Sequence, residues 1–257
     1  MTRLTFLGTG TSQGVPIIGC GCEVCASADS RDKRLRTSAL VESEGVRVVI
    51  DAGPDFRQQM LAAAVTHVDG ILLTHEHKDH IAGIDDVRPF NHLLRRALDI
   101  YATERVQRVV RKDFDYAFAD APYPGAPIIN LVTVDDRTPF SVNGLGVIPI
   151  AGLHAAMPVL GFRIGGIAYI TDFNYIAPEE LVKMHGVEVL VINALREHPH
   201  TSHFTLAEAL EVSRTVGPQR TYLTHISDRM GKHADVSRKL PPNIFLGYDG
   251  LVIESKT

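Results

Sequence analysis

The sequence predicts a single mixed α/β domain over residues 1–257, with no repeat or linker-like run to divide it. Short apolar, β-branched runs alternate along the chain with segments of helical periodicity, and this is the pattern of a layered α/β protein. Residues 37–42 and 46–51 are separated only by Ser43, Glu44 and Gly45, which predicts a hairpin. Hairpins are absent from purely parallel sheets, so the predicted sheet is mixed.

The predicted elements follow one another closely. Strands are predicted at residues 4–7, 37–42, 46–51, 70–74, 142–150, 159–171 with a turn at Gly165, 188–193 and 220–224. Residues 244–253 are predicted to form two short strands around Asp249 and Gly250. Helices are predicted from Pro54 to about Ala64, from Thr103 to about Phe118, and over residues 178–185 and 205–216. Thr103 is an N-cap residue, and the three prolines within residues 121–127 predict a loop.

Composition restricts the partners and the compartment. The net charge of −4 provides no general attraction to nucleic acid or to an anionic membrane. No apolar run approaches the length of a membrane span, and the first ten residues break at Gly8 before a signal peptide can form. We therefore expect a soluble, cytoplasmic protein without a membrane partner.

The segment 74–80 concentrates metal-binding side chains in a loop that follows a predicted buried strand. Three histidines, His75, His77 and His80, stand beside Asp79. Imidazole and carboxylate are ligands of zinc, iron and manganese. In an extended segment His75 and His77 point to the same side, and a turn through Lys78 would aim Asp79 and His80 at a second ion.

This segment resembles the His-x-His-x-Asp-His signature of the metallo-β-lactamase superfamily, and the resemblance covers the whole chain. It implies an αββα sandwich, two mixed sheets packed face to face with helices outside. It also implies two divalent ions, zinc or manganese. The implied ligands are His75, His77 and His154 for one ion, Asp79, His80 and His225 for the other, and Asp172 as the bridge. Asp51 matches the carboxylate that holds the histidine loop in that superfamily.

Two further segments resemble the PhnP family, namely the glycine-rich residues 7–16 and the cysteine-rich residues 19–25. That family hydrolyses cyclic phosphodiesters, notably phosphoribosyl 1,2-cyclic phosphate. The resemblance therefore implies a small phosphodiester as substrate and attack by a hydroxide shared between the two ions. It further implies a homodimer, and His203 as the general acid beside the leaving oxygen.

The three cysteines, Cys20, Cys22 and Cys25, lie too close together for a disulfide framework and favour a metal clip. In the PhnP family the corresponding cysteines hold a structural zinc, so a third metal ion is expected. The fourth family ligand is a histidine, and this chain has Asp228 at that position. Three alternatives remain: zinc bound by the cysteines and Asp228, zinc bound by the cysteines and His233, or an empty site.

Other functions compete with the phosphodiesterase hypothesis. A tRNA 3′-processing endonuclease shares the glycine-rich opening, but the longest candidate for a basic tRNA-binding arm, residues 88–127, mixes charges. The cysteine cluster fits a glyoxalase-type thioester hydrolase poorly, and a non-catalytic binding module would not need every ligand position filled. Arg34 and Arg36 are expected either to face a substrate phosphate or to lie in a solvated charged loop.

Overall fold

A computed structural model, which describes residues 1–256, shows two seven-stranded mixed sheets packed face to face. The first sheet contains the strands β1 (Thr2–Gly8), β2 (Ser38–Ser43), β3 (Val46–Ile50), β4 (Gly70–Leu72), β5 (Leu98–Ala102), β6 (Ile129–Thr133) and β14 (Val252–Ser255). The second sheet contains β7 (Phe140–Val142), β8 (Leu145–His154), β9 (Met157–Ile164), β10 (Ile167–Ile170), β11 (Val189–Asn193), β12 (Arg220–Thr224) and β13 (Ile244–Leu246).

The two sheets have the same mixed design. In the first, the order is β14-β1-β2-β3-β4-β5-β6, and the strands from β3 to β6 are parallel while the others are antiparallel. In the second, the order is β13-β12-β11-β10-β9-β8-β7, and the strands from β10 to β13 are parallel. Consequently the carboxyl ends of the parallel strands form an edge in each sheet, which is where α/β proteins place their ligands.

Seven α-helices accompany the sheets within the described residues. They are α1 (Phe56–Ala62), α2 (Lys78–Ile81), α3 (Arg88–Leu94), α4 (Glu104–Asp113), α5 (Pro178–Val182), α6 (Leu206–Val216) and α7 (His233–Ser237). Thr103 caps α4 by accepting a hydrogen bond from the backbone N–H of Val106, and Thr205 caps α6 in a capping box with Glu208. None of these helices is long and apolar enough to cross a membrane.

Three apolar clusters form the layers of the αββα sandwich. The central cluster lies between the sheets and includes Phe6 of β1 and Tyr169 of β10, both almost fully buried. A second cluster packs α1 to α4 on the outer face of the first sheet, with Phe56 at its centre. A third packs α5 to α7 on the second sheet. The expected αββα fold is confirmed.

Several predicted boundaries were wrong. The strand predicted at 142–150 is interrupted by a turn at Asn143 and Gly144, both with positive φ, and becomes β7 and β8. The helix that begins after Thr103 ends at Asp113, short of Phe118, and a 3-10 turn follows it. The strands β5 and β6 were not predicted at all.

Candidate metal centre

The predicted ligands lie at one edge of the sandwich, where strands of both sheets end. Asp51 directly follows β3, residues 74–80 follow β4, His154 ends β8, Asp172 follows β10 and His225 follows β12. Asp51, Asp172 and His225 have φ angles of 63°, 63° and 53°, in the left-handed region that non-glycine residues rarely adopt. Such backbone strain concentrates at functional sites, where the surrounding structure holds it in place.

The side chains of three histidines lie close together and form the first group. The Nε2 atom of His75 lies 3.1 Å from Nδ1 of His77. Together with His154, each of these residues offers a ligand atom, and the three atoms lie within 4.8 Å of one another. This is the first of the two ligand sets that the superfamily signature implies.

A second group surrounds the carboxylate of Asp172. Its Oδ2 atom lies 3.3 Å from Nε2 of His80 and 3.1 Å from Nδ1 of His225. Asp79 approaches the same His80 nitrogen at 3.2 Å. Asp172 also shares a group of close ligand atoms with His75 and His80. Asp172 therefore stands where it can reach both sets of predicted ligands.

Two buried nitrogens test whether the cluster suits metal ions. Within residues 1–256, His80 Nε2 and His225 Nδ1 are buried and have no hydrogen bond of acceptable geometry, although both face Asp172. Leaving a buried polar atom unsatisfied costs roughly 1–3 kcal/mol. Both nitrogens are suitable metal ligands, and the donor set of imidazoles and carboxylates suits divalent ions. The residues present thus fit the metal ions that the fold implies.

Neighbouring groups orient these rings through the nitrogen that faces away from the cluster. The fully buried Asp51 accepts hydrogen bonds from the backbone N–H of Thr74 at 2.8 Å and from Nδ1 of His80 at 2.7 Å. The Thr74 hydroxyl donates to Asp51 at 2.9 Å and faces Nδ1 of His75. Nδ1 of His154 donates to the carbonyl of Ser202 at 2.7 Å. In each case Nε2 is left for a metal, as in other metalloproteins.

Burial and charge set the protonation of this cluster. Burial is the largest cause that lowers the pKa of His75 well below its usual value and that of His225 to about 3. Burial opposes charge on Asp172 too, but His225 and His80 hold the pKa of its carboxyl well below the usual range. For His80, burial is outweighed by Asp172, Asp51 and Asp79, which raise its pKa well above normal. A metal ion bound at His80 would compete with this proton.

His203, the predicted general acid, lies at the rim of this cluster. Its Nε2 atom is 3.1 Å from Asp172 Oδ1, and its Nδ1 atom is 3.0 Å from the Ser202 hydroxyl. The side chain is 12% exposed, whereas His80 is fully buried. Distances alone would also allow His203 to bind a metal together with His154 and Asp172.

The cysteine cluster is a separate candidate metal site. The sulfur atoms of Cys20, Cys22 and Cys25 and a carboxylate oxygen of Asp228 lie within 4.8 Å of one another. Cys22 Sγ is 3.6 Å from Asp228 Oδ2. His233 is not in this group, because its Nδ1 faces the guanidinium of Arg34 at 3.4 Å. Of the two fourth ligands considered, the structure brings Asp228 to the cysteines.

The expectation for one of the two arginines, Arg34, was wrong. Arg34 is only 4% exposed, and its guanidinium donates to the Thr9 hydroxyl and to the carbonyl of Gly247. It therefore faces neither a phosphate nor solvent. Arg36 pairs with Asp55 at 3.0 Å. Arg34 instead supports the glycine-rich loop, where the Thr9 carbonyl accepts a hydrogen bond from Ile226, next to His225.

Sequence reasoning did not assign two side chains that contact His203. The Ser202 hydroxyl and Nδ1 of His200 both lie within 3.3 Å of its Nδ1 atom. The only signal for them was their position within three residues of His203.

Comparison with known proteins places the chain in a family. Residues 46–226 match the beta-lactamase superfamily domain, so the chain belongs to the metallo-β-lactamase superfamily. Membership of that superfamily implies divalent metal ions at the ligand cluster. A crystal structure described as a new diphosphatase from the PhnP family superposes with a TM-score of 0.91 and 38% identity, covering 98% of this chain and 96% of that one. Within the superfamily the chain is accordingly a member of the PhnP family.

Two curated relatives carry other names. A protein of Porphyromonas gingivalis (strain ATCC BAA-308 / W83), named octanoyltransferase, is 42% identical over 260 residues, which cover 99% of this chain. The match covers 52% of that relative, so the chain spans about half of its length. A coenzyme PQQ synthesis protein B of Methylobacterium sp. (strain 4-46) is 30% identical over 216 residues, covering 73% of this chain and 71% of the relative.

Proposed function

We propose that this chain is a dinuclear metal-dependent phosphodiesterase that hydrolyses small phosphodiesters, cyclic ones included. The observation that carries the proposal is the convergence of two ligand sets on one carboxylate. The proposed ligands are His75, His77 and His154 for one ion, Asp79, His80 and His225 for the other, and Asp172 between them. Zinc or manganese bound there would supply Lewis-acid chemistry and an activated water, as two-metal phosphodiesterases require.

The protein residues would position these groups and move one proton. Asp51 holds the 74–80 loop through Thr74 and His80, so that the ligand nitrogens face the carboxylate of Asp172. His203 is our general acid, because its partly exposed ring lies at the rim with Nε2 facing the carboxylate of Asp172. From there Nε2 would donate its proton to the leaving oxygen. General acid catalysis of this kind typically contributes about 10²–10⁴-fold to the rate.

The proposed substrate is small because the structure offers no extended basic arm in the part of the chain described. Residues 88–127, which were weighed as such an arm, contain α3, β5 and α4 and pack largely against the first sheet. The net charge of −4 also disfavours a polyanionic partner such as tRNA.

We further propose a structural zinc at the cysteine cluster, held by Cys20, Cys22, Cys25 and Asp228. Three sulfurs and one carboxylate oxygen form a four-ligand set, the number that structural zinc sites use. Burial raises the pKa of Cys25 to about 11, so this sulfur becomes a thiolate only with a cation beside it.

Two relatives support alternative substrates for the same centre. The PhnP-family structure is described as a diphosphatase, which favours trying diphosphate esters. The Porphyromonas gingivalis relative is named octanoyltransferase, which favours trying octanoyl thioesters, although this chain matches only about half of that protein.

The test is hydrolysis of bis(p-nitrophenyl) phosphate and 2′,3′-cyclic AMP by the purified protein, alongside a diphosphate ester, an octanoyl thioester and a pre-tRNA. Elemental analysis is made on the same preparation. We expect turnover of both diesters, an intact pre-tRNA and about three metal ions per chain. If the protein cleaves only the thioester, or only the diphosphate ester, that compound class becomes the proposed substrate. A protein with two ions bound and no activity on any of the five would refute the proposed reaction class.

A further inference from the structure

The loop between β11 and α6 places a second histidine directly behind the proposed general acid. Nδ1 of His200 lies 3.3 Å from Nδ1 of His203, and the two ring centroids are 5.0 Å apart. We propose that His200 is a positioning residue, which accepts a hydrogen bond from His203 and holds that ring with Nε2 turned toward the metal centre. This inference rests on the proposed function, in which His203 is the proton donor.

The direction of the hydrogen bond follows from the neighbouring groups. The backbone N–H of Ser202, which can only donate, lies 3.3 Å from Nδ1 of His200. That nitrogen is therefore an acceptor without a hydrogen of its own. In its contact with Nδ1 of His203, the hydrogen must belong to His203.

The opposite end of the His203 ring is also held by an acceptor. Nε2 of His203 faces a carboxylate oxygen of Asp172 at 3.1 Å, and a carboxylate only accepts. The ring is thus fixed between His200 on one side and Asp172 on the other. Without His200, the remaining partner of Nδ1 is the Ser202 hydroxyl at 3.0 Å, which is rotatable and faces both rings.

His200 itself lies outside the candidate metal centre. Its side chain is exposed, and among the described residues it belongs to none of the groups that could hold a metal ion. Removing the ring should therefore leave the metal content unchanged. His198 is a matched control, because it is exposed in the same loop and its recorded hydrogen bond uses only its backbone carbonyl.

The experiment compares two substrates that differ in their need for a general acid. Hydrolysis of 2′,3′-cyclic AMP expels a poor sugar alkoxide, whereas bis(p-nitrophenyl) phosphate releases a stable phenolate that needs little protonation. For His200→Ala we expect kcat on 2′,3′-cyclic AMP to fall at least about tenfold, a part of the general-acid contribution. We expect KM, the metal content and turnover of the nitrophenyl ester to stay within about twofold.

Two further variants and a crystal structure complete the test. His200→Asn should restore most of the lost kcat, because its amide oxygen replaces the Nδ1 acceptor, and His198→Ala should behave as wild type. An equal loss on both substrates, no loss, or failure of the asparagine variant would overturn the inference. If the wild type hydrolyses neither diester, the proposed function fails. In that case the crystal structure of His200→Ala tests the positioning role on its own. If His203 Nε2 still lies 3.1 Å from Asp172, the positioning role is overturned, and if the ring has rotated, the role is supported.

Discussion

Asp172 is the residue at which the two predicted ligand sets meet. Its carboxylate lies within 3.3 Å of His80 and His225, and it shares close ligand atoms with His75. We expect Asp172→Ala to lose at least one metal ion per chain, because no other carboxylate reaches both sets in the part of the chain described. Elemental analysis measures this loss, with Asp136→Ala at an exposed site as the control. A variant that keeps both ions would show that Asp172 is not the bridge.

His203 should behave in the opposite way. As a general acid it contributes to turnover and not to metal binding, so His203→Ala should lower kcat on 2′,3′-cyclic AMP by about 10²–10⁴-fold with unchanged metal content. Its distances to His154 and Asp172 would also suit a ligand, which makes the metal measurement decisive. Loss of an ion in this variant would mean that His203 binds metal and that the proton comes from elsewhere.

At the scale of elements, the short helix α2 brings Asp79 and His80 into the centre, and its position depends on a glycine. A Cβ atom added at Gly53 would overlap the backbone carbonyl of Asp79. We expect Gly53→Ala to displace α2, to lower metal content and activity, and to destabilise the protein by roughly 1–3 kcal/mol, as overpacking does. Thermal unfolding and elemental analysis provide the measurements.

The matched control for this substitution is Gly146→Ala in β8. A Cβ atom at Gly146 meets nothing within 4 Å. This variant should keep both its metal ions and its melting temperature. If the two alanine variants behave alike, the close approach of Gly53 to α2 does not control the centre.

Local sequence patterns predicted most elements but not their exact limits. The hairpin of β2 and β3 and the cap at Thr103 were predicted from residue types alone, because those signals act over a few residues. The Asn143-Gly144 turn carries a strong hairpin signal that the apolar residues on both sides concealed. The strand β6 was missed because its residues are only partly buried, which weakens the apolar pattern.

At the scale of the whole molecule, prediction from local pattern fails where contacts join distant parts of the chain. The two short strands predicted over residues 244–253 divide between the sheets, with β13 in the second and β14 in the first, which the local pattern did not indicate. Cys22 meets Asp228 across 206 residues. The resemblance to a known family grouped the same ligand residues, but it did not predict that Arg34 is buried.

The buried cluster around Arg34 makes the stability of the molecule depend on pH. Burial, followed by the charge of Arg34, lowers the pKa of His233 from 6.5 to about 4. Its other charged neighbours are Arg31, Asp29 and Asp32, and Tyr248 packs against its ring. As the pH falls from about 6.5 to about 4, the unfolded chain binds a proton at His233 that the folded chain does not bind. The contribution of His233 to the free energy of unfolding should therefore decrease over this interval, with up to about one proton involved. Burial raises the pKa of the neighbouring Asp249 to about 6, which acts in the opposite sense and is common to the wild type and any His233 variant.

Urea unfolding of the wild type and of His233→Asn at pH 7 and pH 4.5 tests this dependence. Asparagine does not titrate but keeps an acceptor toward Arg34, so the variant should lose less stability on acidification than the wild type. Any loss of metal ions from the histidine cluster on acidification is common to both proteins. The difference between the two proteins therefore isolates His233. Equal losses would mean that His233 titrates alike in the folded and unfolded chains, and that its burial against Arg34 contributes nothing to acid sensitivity.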